Sequence, residues 1–214
     1  MARSMSITSI FDIYDQEVAY YTQFLPAIDS EAAGIVSQQE GRLSLALEQY
    51  QKALDIRKKC EPNTAEICRL HRRKAQIHQK LNNLKGVIYH LKGELAVARL
   101  ICPVSKHVAE LHGLLATRYN HLKDEDYDIA LVIDHLEQRL NIQQQLPPGS
   151  ENIAATHRIL AESYEILGEN LAGQEGQEEA LNKAAGHKMD LMLIEALIKL
   201  SSKPLPTERA PSPR

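Results

Sequence analysis

Apolar and small residues return at helical steps along most of this chain, and the positions occupied in one stretch reappear in the next. After Cys60-Glu61-Pro62-Asn63, the residues Ile67, His71, Ala75, His78 and Leu81 follow at intervals of three and four, the spacing of one helix face. The same skeleton returns 41 residues later at Pro103, Val108, His112, Ala116, Tyr119 and Leu122. It returns a further 45 residues on at Pro148, Ile153, His157, Ala161, Tyr164 and Leu167. A fixed period of this size identifies stacked supersecondary units, each too small to bury its own apolar face. The unequal shift places a small insertion near Lys123-Asp124-Glu125-Asp126, where a loop lengthens at little entropic cost.

The pattern predicts helices near 9–24, 28–40, 43–60, 64–82, 84–101, 105–122, 127–145, 151–167, 170–184 and 187–200. Gly and Pro together number only 19 and seldom interrupt runs rich in Leu, Ala, Glu, Lys and Gln, which favour helix. An earlier half-copy of the unit runs from Ala33 to Leu54. In it Gly34, Ala46 and Ala53 fall where two antiparallel helices must approach closely, and Tyr50 and Leu54 fill the space between neighbouring hairpins. Phe11, Tyr14, Val18 and Tyr21 form an apolar stripe before the repeats, and Leu191, Ile194, Leu197 and Ile198 form another after them. Both are expected to be caps, since a solenoid must cover its end faces.

This order of small, aromatic and aliphatic positions resembles the tetratricopeptide pattern. A unit of about 42 residues with a Pro-containing turn narrows the likeness to the kinesin light chain subclass. The stretch Arg139 to Thr156, followed by Leu160-Ala161-Glu162-Ser163-Tyr164-Glu165-Ile166-Leu167-Gly168-Glu169, is the best match, and the resemblance spans roughly 30–185. The second unit departs from it, with Val87 and Glu94 at positions expected to be small; in the third, Asp134 or Leu136 stands in for the aromatic. The resemblance implies an all-α fold, a right-handed α-solenoid of stacked helical hairpins of tetratricopeptide type. The expected organisation is helical caps at 1–27 and 186–200 around repeats at 28–185, with a tail at 201–214 that its composition marks as disordered. The implied work is binding a peptide or helix of another protein, with no catalysis.

Charge and composition narrow the function without naming it. A net charge of -3 lacks the basic excess of nucleic-acid binders. No stretch reaches the roughly 18 uninterrupted apolar residues of a membrane span, and the N-terminus, broken by Asp12 and Asp15, is unlike a secretory signal. Cys60, Cys68 and Cys102 form neither an even set nor a CxxC pair, which favours reduced thiols and a cytoplasmic location. Four prolines crowd the tail from Ser201, whose composition cannot bury apolar surface.

Candidate chemistry is sparse. His71, His112 and His157 sit at one position in successive units, and helices stacked about 8–10 Å apart cannot bring such equivalents to one ion, so the histidines are expected to be structural. There is no HExxH, GxxxxGK[ST], GxGxxG after a strand or GxSxG, and no cofactor or metal is expected. Asp124-Glu125-Asp126 and Glu178-Glu179 are expected to be solvated, and Ala172-Gly173-Gln174-Glu175-Gly176-Gln177 to weaken or kink the last hairpin.

One basic run stands out. In the tetratricopeptide arrangement the first helix of each hairpin faces the concave side, and counting back from Ala75 puts Arg69, Arg72, Arg73, Gln76 and Lys80 there. Arg158 follows from Ala161 by the same count, and Asn120 joins them from the unit between. Guanidinium groups hold carboxylates or phosphates through paired hydrogen bonds, so the expected partner is an acidic or phosphorylated segment of another protein. A solvated helix face explains the same run. Relatives often carry Asn pairs where this chain has Arg72-Arg73, Gly113-Leu114 and Arg158-Ile159, so their cargo preferences do not carry over. Two other roles are compatible with the sequence: a regulatory or targeting module related to enzyme-containing proteins, and a self-associating structural protein.

Overall fold

The computed structural model describes residues 18–19, 21–122, 127–147 and 153–201. Among these there are eight helices and no strand: α1 Leu25–Gln39, α2 Leu43–Cys60, α3 Ala65–Lys80, α4 Leu84–Ile101, α5 Lys106–Asn120, α6 Ile129–Gln145, α7 Ile153–Asn170 and α8 Gln177–Ser201. They pack as four hairpins, α1 on α2, α3 on α4, α5 on α6 and α7 on α8, and each hairpin's second helix packs on the next hairpin's first.

Short turns set this pairing. In the first two hairpins the chain reverses through a left-handed residue, Gly41 at φ 77° and Asn82 at φ 54°, in equivalent places. The next amides, of Arg42 and Asn83, donate to Ser37 and His78 carbonyls at 2.8 Å, closing the helix ends. Asn is one of the few residues with a side chain that enters this region readily, which lets it replace Gly at the second turn. Asn83, Ser105 and Asp128 then start α4, α5 and α6 by accepting a backbone N–H.

The buried positions repeat with the same period. Ala46, Tyr50, Ala53, Leu54 and Arg57 of α2 correspond to Val87, Leu91, Glu94, Leu95 and Ala98 of α4, all buried. Gly34 lets α1 and α2 close up: a Cβ there would stand 2.6 Å from the Tyr50 ring. In the second hairpin the close approach falls on α4, one residue before the places of Ala46 and Ala53. Gly86 and Gly93 receive the rings of His78 and His71, where a Cβ would lie 2.5 Å from Nδ1 of each. Val87 and Glu94, freed from that contact, face the seam towards α5. In the third hairpin Leu136 is buried and takes the interior place, while Asp134 is exposed.

Most predicted helices agree with the structure to within a few residues, but the last two are one. Gly173 and Gly176, at φ 74° and 92°, form the α7–α8 turn, and α8 then runs unbroken for 25 residues. The Gly-rich piece therefore joins the last hairpin's helices; it does not kink one of them. Gly186 does not stop α8, because the roughly 1 kcal/mol penalty of one interior glycine is small against a long packed helix. Of the predicted C-terminal stripe, Leu191 and Ile194 are half-buried, whereas Leu197 and Ile198 are exposed beside Met189, Met192 and Leu193. Val18 and Tyr21 are exposed. Phe11, Tyr14 and the tail from residue 202 lie outside the described residues.

Candidate interaction groove

The first helices α3, α5 and α7 follow one another along one side of the stack, and two clefts open between them. The first, of about 280 Å³, lies between α3 and α5 over α4, with Gln76, Val87, Leu91, Leu111, Leu114 and Arg118 among its walls. The second, of about 250 Å³, lies between α5 and α7 over α6, with Asn120, Val132, Leu136, Arg139, Ile159 and Ile166 among its walls. Each has an apolar floor and a few polar groups, the usual make-up of a site that holds a side chain of a partner.

The arginines of the basic run meet carboxylates of this same chain. Arg72 reaches Glu94 with Nε and Nη2, 2.9 and 2.6 Å from the same carboxylate oxygen, and His107 Nε2 stands 3.1 Å from it. Glu94 is wholly buried, so this pair is part of the scaffold. Arg69 bonds Glu31 of α1 at 3.0 Å and also pairs with Glu66, while Arg73 Nε lies 3.6 Å from Glu31 and its guanidinium stacks on Tyr50. Arg158 meets Glu195 of α8 at 3.2 Å. Arg72 and Gln76 border the first cleft and Asn120 the second, whereas Lys80 is exposed and belongs to neither lining. Three of the seven residues thus line the two clefts, and the four arginines face carboxylates of this same chain.

Two other arginines border the clefts, beside Glu110 at the first and Glu162 at the second. Arg118 borders the first cleft and Arg139 the second, both half-buried. Neither forms an ion pair among the described residues, and Nε of each is buried without a hydrogen-bond partner. Arg139 reaches its place across Gly113, where a Cβ would stand 2.5 Å from Nη1. Gly113 leaves that room, but Arg139 stands apart from any basic run in the sequence that would mark it.

Histidine partners were also hidden by loop length. His71, His112 and His157 each meet a histidine of the second helix in their own hairpin: His90 at 3.2 Å, His135 at 3.1 Å and His187 at 3.1 Å, in every case Nδ1 to Nδ1. Such a contact needs one Nδ1–H donor and one bare Nδ1, so the accepting ring must be neutral. Behind each second-helix ring stacks the side chain two turns further along the first helix: His78 on His90, Tyr119 on His135 and Tyr164 on His187. Burial holds His71 and His112 down at about 4 and His90 at about 3, and lowers His135 as well. The separations of 19, 23 and 30 residues follow the differing turns and conceal a common geometry.

No helix among the described residues is long and apolar enough to cross a membrane. No family model and no curated protein matches the chain. Among solved structures it is similar to BtubC (BKLC) from P. vanneervenii, with a TM-score of 0.57 and 19% identity over 88% of this chain and 70% of that one. Nearly identical TPR-like repeats from Podosopora anserina align with a TM-score of 0.45 and 15% identity, covering 81% of this chain and 93% of theirs. At such identities the likeness concerns fold. With four hairpins stacked at the repeat's period, the chain is an all-α helical repeat solenoid, in fold similar to BtubC.

Proposed function

We propose that this solenoid is a protein-interaction scaffold that holds a peptide or helix of another protein along α3, α5 and α7. The observation that carries the reading is the row of two clefts, each pairing an apolar floor with an arginine that forms no ion pair among the described residues. A partner segment suited to it has apolar side chains for the floors and acidic or phosphorylated groups for Arg118 and Arg139. The expected set Arg69, Arg72, Arg73 and Arg158 would serve such a segment only by giving up Glu31, Glu94 and Glu195. Rigid stacking leaves most of the ordering cost with the partner, and no residue has a chemical step to perform. A cytoplasmic setting fits the free thiols of Cys60, Cys68 and Cys102. A regulatory or targeting module of a larger enzyme-containing protein would use the same groove.

Affinity capture with the unaltered chain and with an Arg118→Glu/Arg139→Glu variant tests this. Partners retained by the first and lost from the second support the groove, and identical capture by both contradicts it. A second reading, self-association, is favoured by the exposed Met189, Met192 and Leu193 of α8. Light scattering decides it: a dimer mass that reverts to monomer on Met192→Lys supports it, and a monomer at all concentrations removes it.

A further inference from the structure

The histidine pair of the last hairpin differs from the other two in one respect. Asp190 lies one turn after His187 on α8, and its Oδ2 stands 3.7 Å from His157 Nδ1. The two imidazole nitrogens are 3.1 Å apart, and the three possible ligand atoms all fall within 4.8 Å of one another. No other trio of His, Cys, Asp or Glu among the described residues meets that condition. His71–His90 and His112–His135 have the same ring geometry and no such third ligand.

We propose that Nδ1 of His157, Nδ1 of His187 and the carboxylate of Asp190 form a binding site for a divalent late transition metal ion of the zinc class, which ties α7 to α8. Two nitrogens bound tetrahedrally to one zinc at about 2.0–2.1 Å stand roughly 3.3–3.4 Å apart, so the rings need move only a few tenths of an ångström. Two imidazoles and one carboxylate suit zinc, cobalt or nickel better than calcium or magnesium, which prefer oxygen. Without metal, one ring donates its Nδ1–H to the other's bare Nδ1. With metal, that proton moves to Nε2 of the same ring through solvent, so both Nδ1 lone pairs point to the ion and no net proton is released.

The burial of the ligands suits this arrangement. His157 is buried and fixed on α7, the Tyr164 ring stacks on His187 at 21° and holds its plane, and Asp190 is exposed enough to admit the ion. Tyr164 is itself anchored through its hydroxyl to Glu137 of α6. Three protein ligands leave a fourth position for water or a group from a partner. The site lies on the last hairpin, apart from both clefts, so it stands or falls independently of the groove.

The test is isothermal titration of the full, chelator-treated chain with zinc, with cobalt(II) absorption as a report of tetrahedral geometry. The expected result is one saturable site per chain, weakened at least roughly tenfold by Asp190→Asn and lost in His187→Gln, with His135→Gln binding as the unaltered chain does. Zinc should also raise the melting temperature of the unaltered chain and not that of Asp190→Asn. If His187→Gln does not fold, Asp190→Asn alone decides, because Asp190 is exposed and supports no core contact. Absence of saturable binding, or equal binding by the unaltered and Asp190→Asn chains, overturns the proposal.

Discussion

Arg72 of α3 holds the wholly buried carboxylate of Glu94 in α4, with two guanidinium nitrogens on a single oxygen. The other oxygen of Glu94 is buried and has no hydrogen-bond partner, so the guanidinium and His107 supply all its compensation. Arg72→Ala should therefore destabilise the chain by roughly 2–3 kcal/mol, read as a lower urea midpoint. Replacing both residues by leucine should recover most of the loss, since no charge is then left buried. A stability unchanged by Arg72→Ala would show that water reaches Glu94.

The neutral histidine pairs make the fold sensitive to acid. His71, His90 and His112 have folded values of about 4, about 3 and about 4, below the ordinary value of 6.5. Between these limits the unfolded chain binds more protons than the folded one, so stability is complete above the ordinary value and falls as pH drops towards the folded values. Each ring contributes a slope of up to about 1.4 kcal/mol per pH unit in that window. Urea titrations at pH values from about 7 down to about 5 should show this decline, and His112→Gln should make it shallower. A flat profile would mean the rings are charged or solvated in the folded chain.

Glycines in helix interiors should respond in opposite directions to alanine. At Gly93 the added Cβ meets the buried His71 ring, which is already fixed by His90, so Gly93→Ala should destabilise by about 1–3 kcal/mol despite better helix propensity. At Gly186 nothing lies within 4 Å, and Gly186→Ala should stabilise by up to about 1 kcal/mol. Thermal melts of the two variants separate packing from propensity.

The repeat was legible because small buried residues recur at nearly constant intervals: Gly34, Ala75, Ala116 and Ala161 mark successive units, and the hairpins follow from them. The two terminal helices predicted after residue 169 were not separable from the one that exists, because positive φ at Gly173 and Gly176 ends α7 while Gly186 is carried within α8. The histidine pairs were legible only in half, since their first-helix members share a period and their second-helix members are displaced by turns of unequal length. Charge was the least legible part. A run such as Arg69–Arg73 reveals density but not pairing, and Glu31 and Glu94 lie 38 and 22 residues from the arginines they bind.

Hydrogen exchange of the chain, alone and with a captured partner, tests the groove most directly. The account predicts added protection in α3, α5 and α7 around Arg118 and facing Arg139, with little change in the turns of the opposite side. Protection confined to α8 or to the outer faces of α2, α4 and α6 would contradict it.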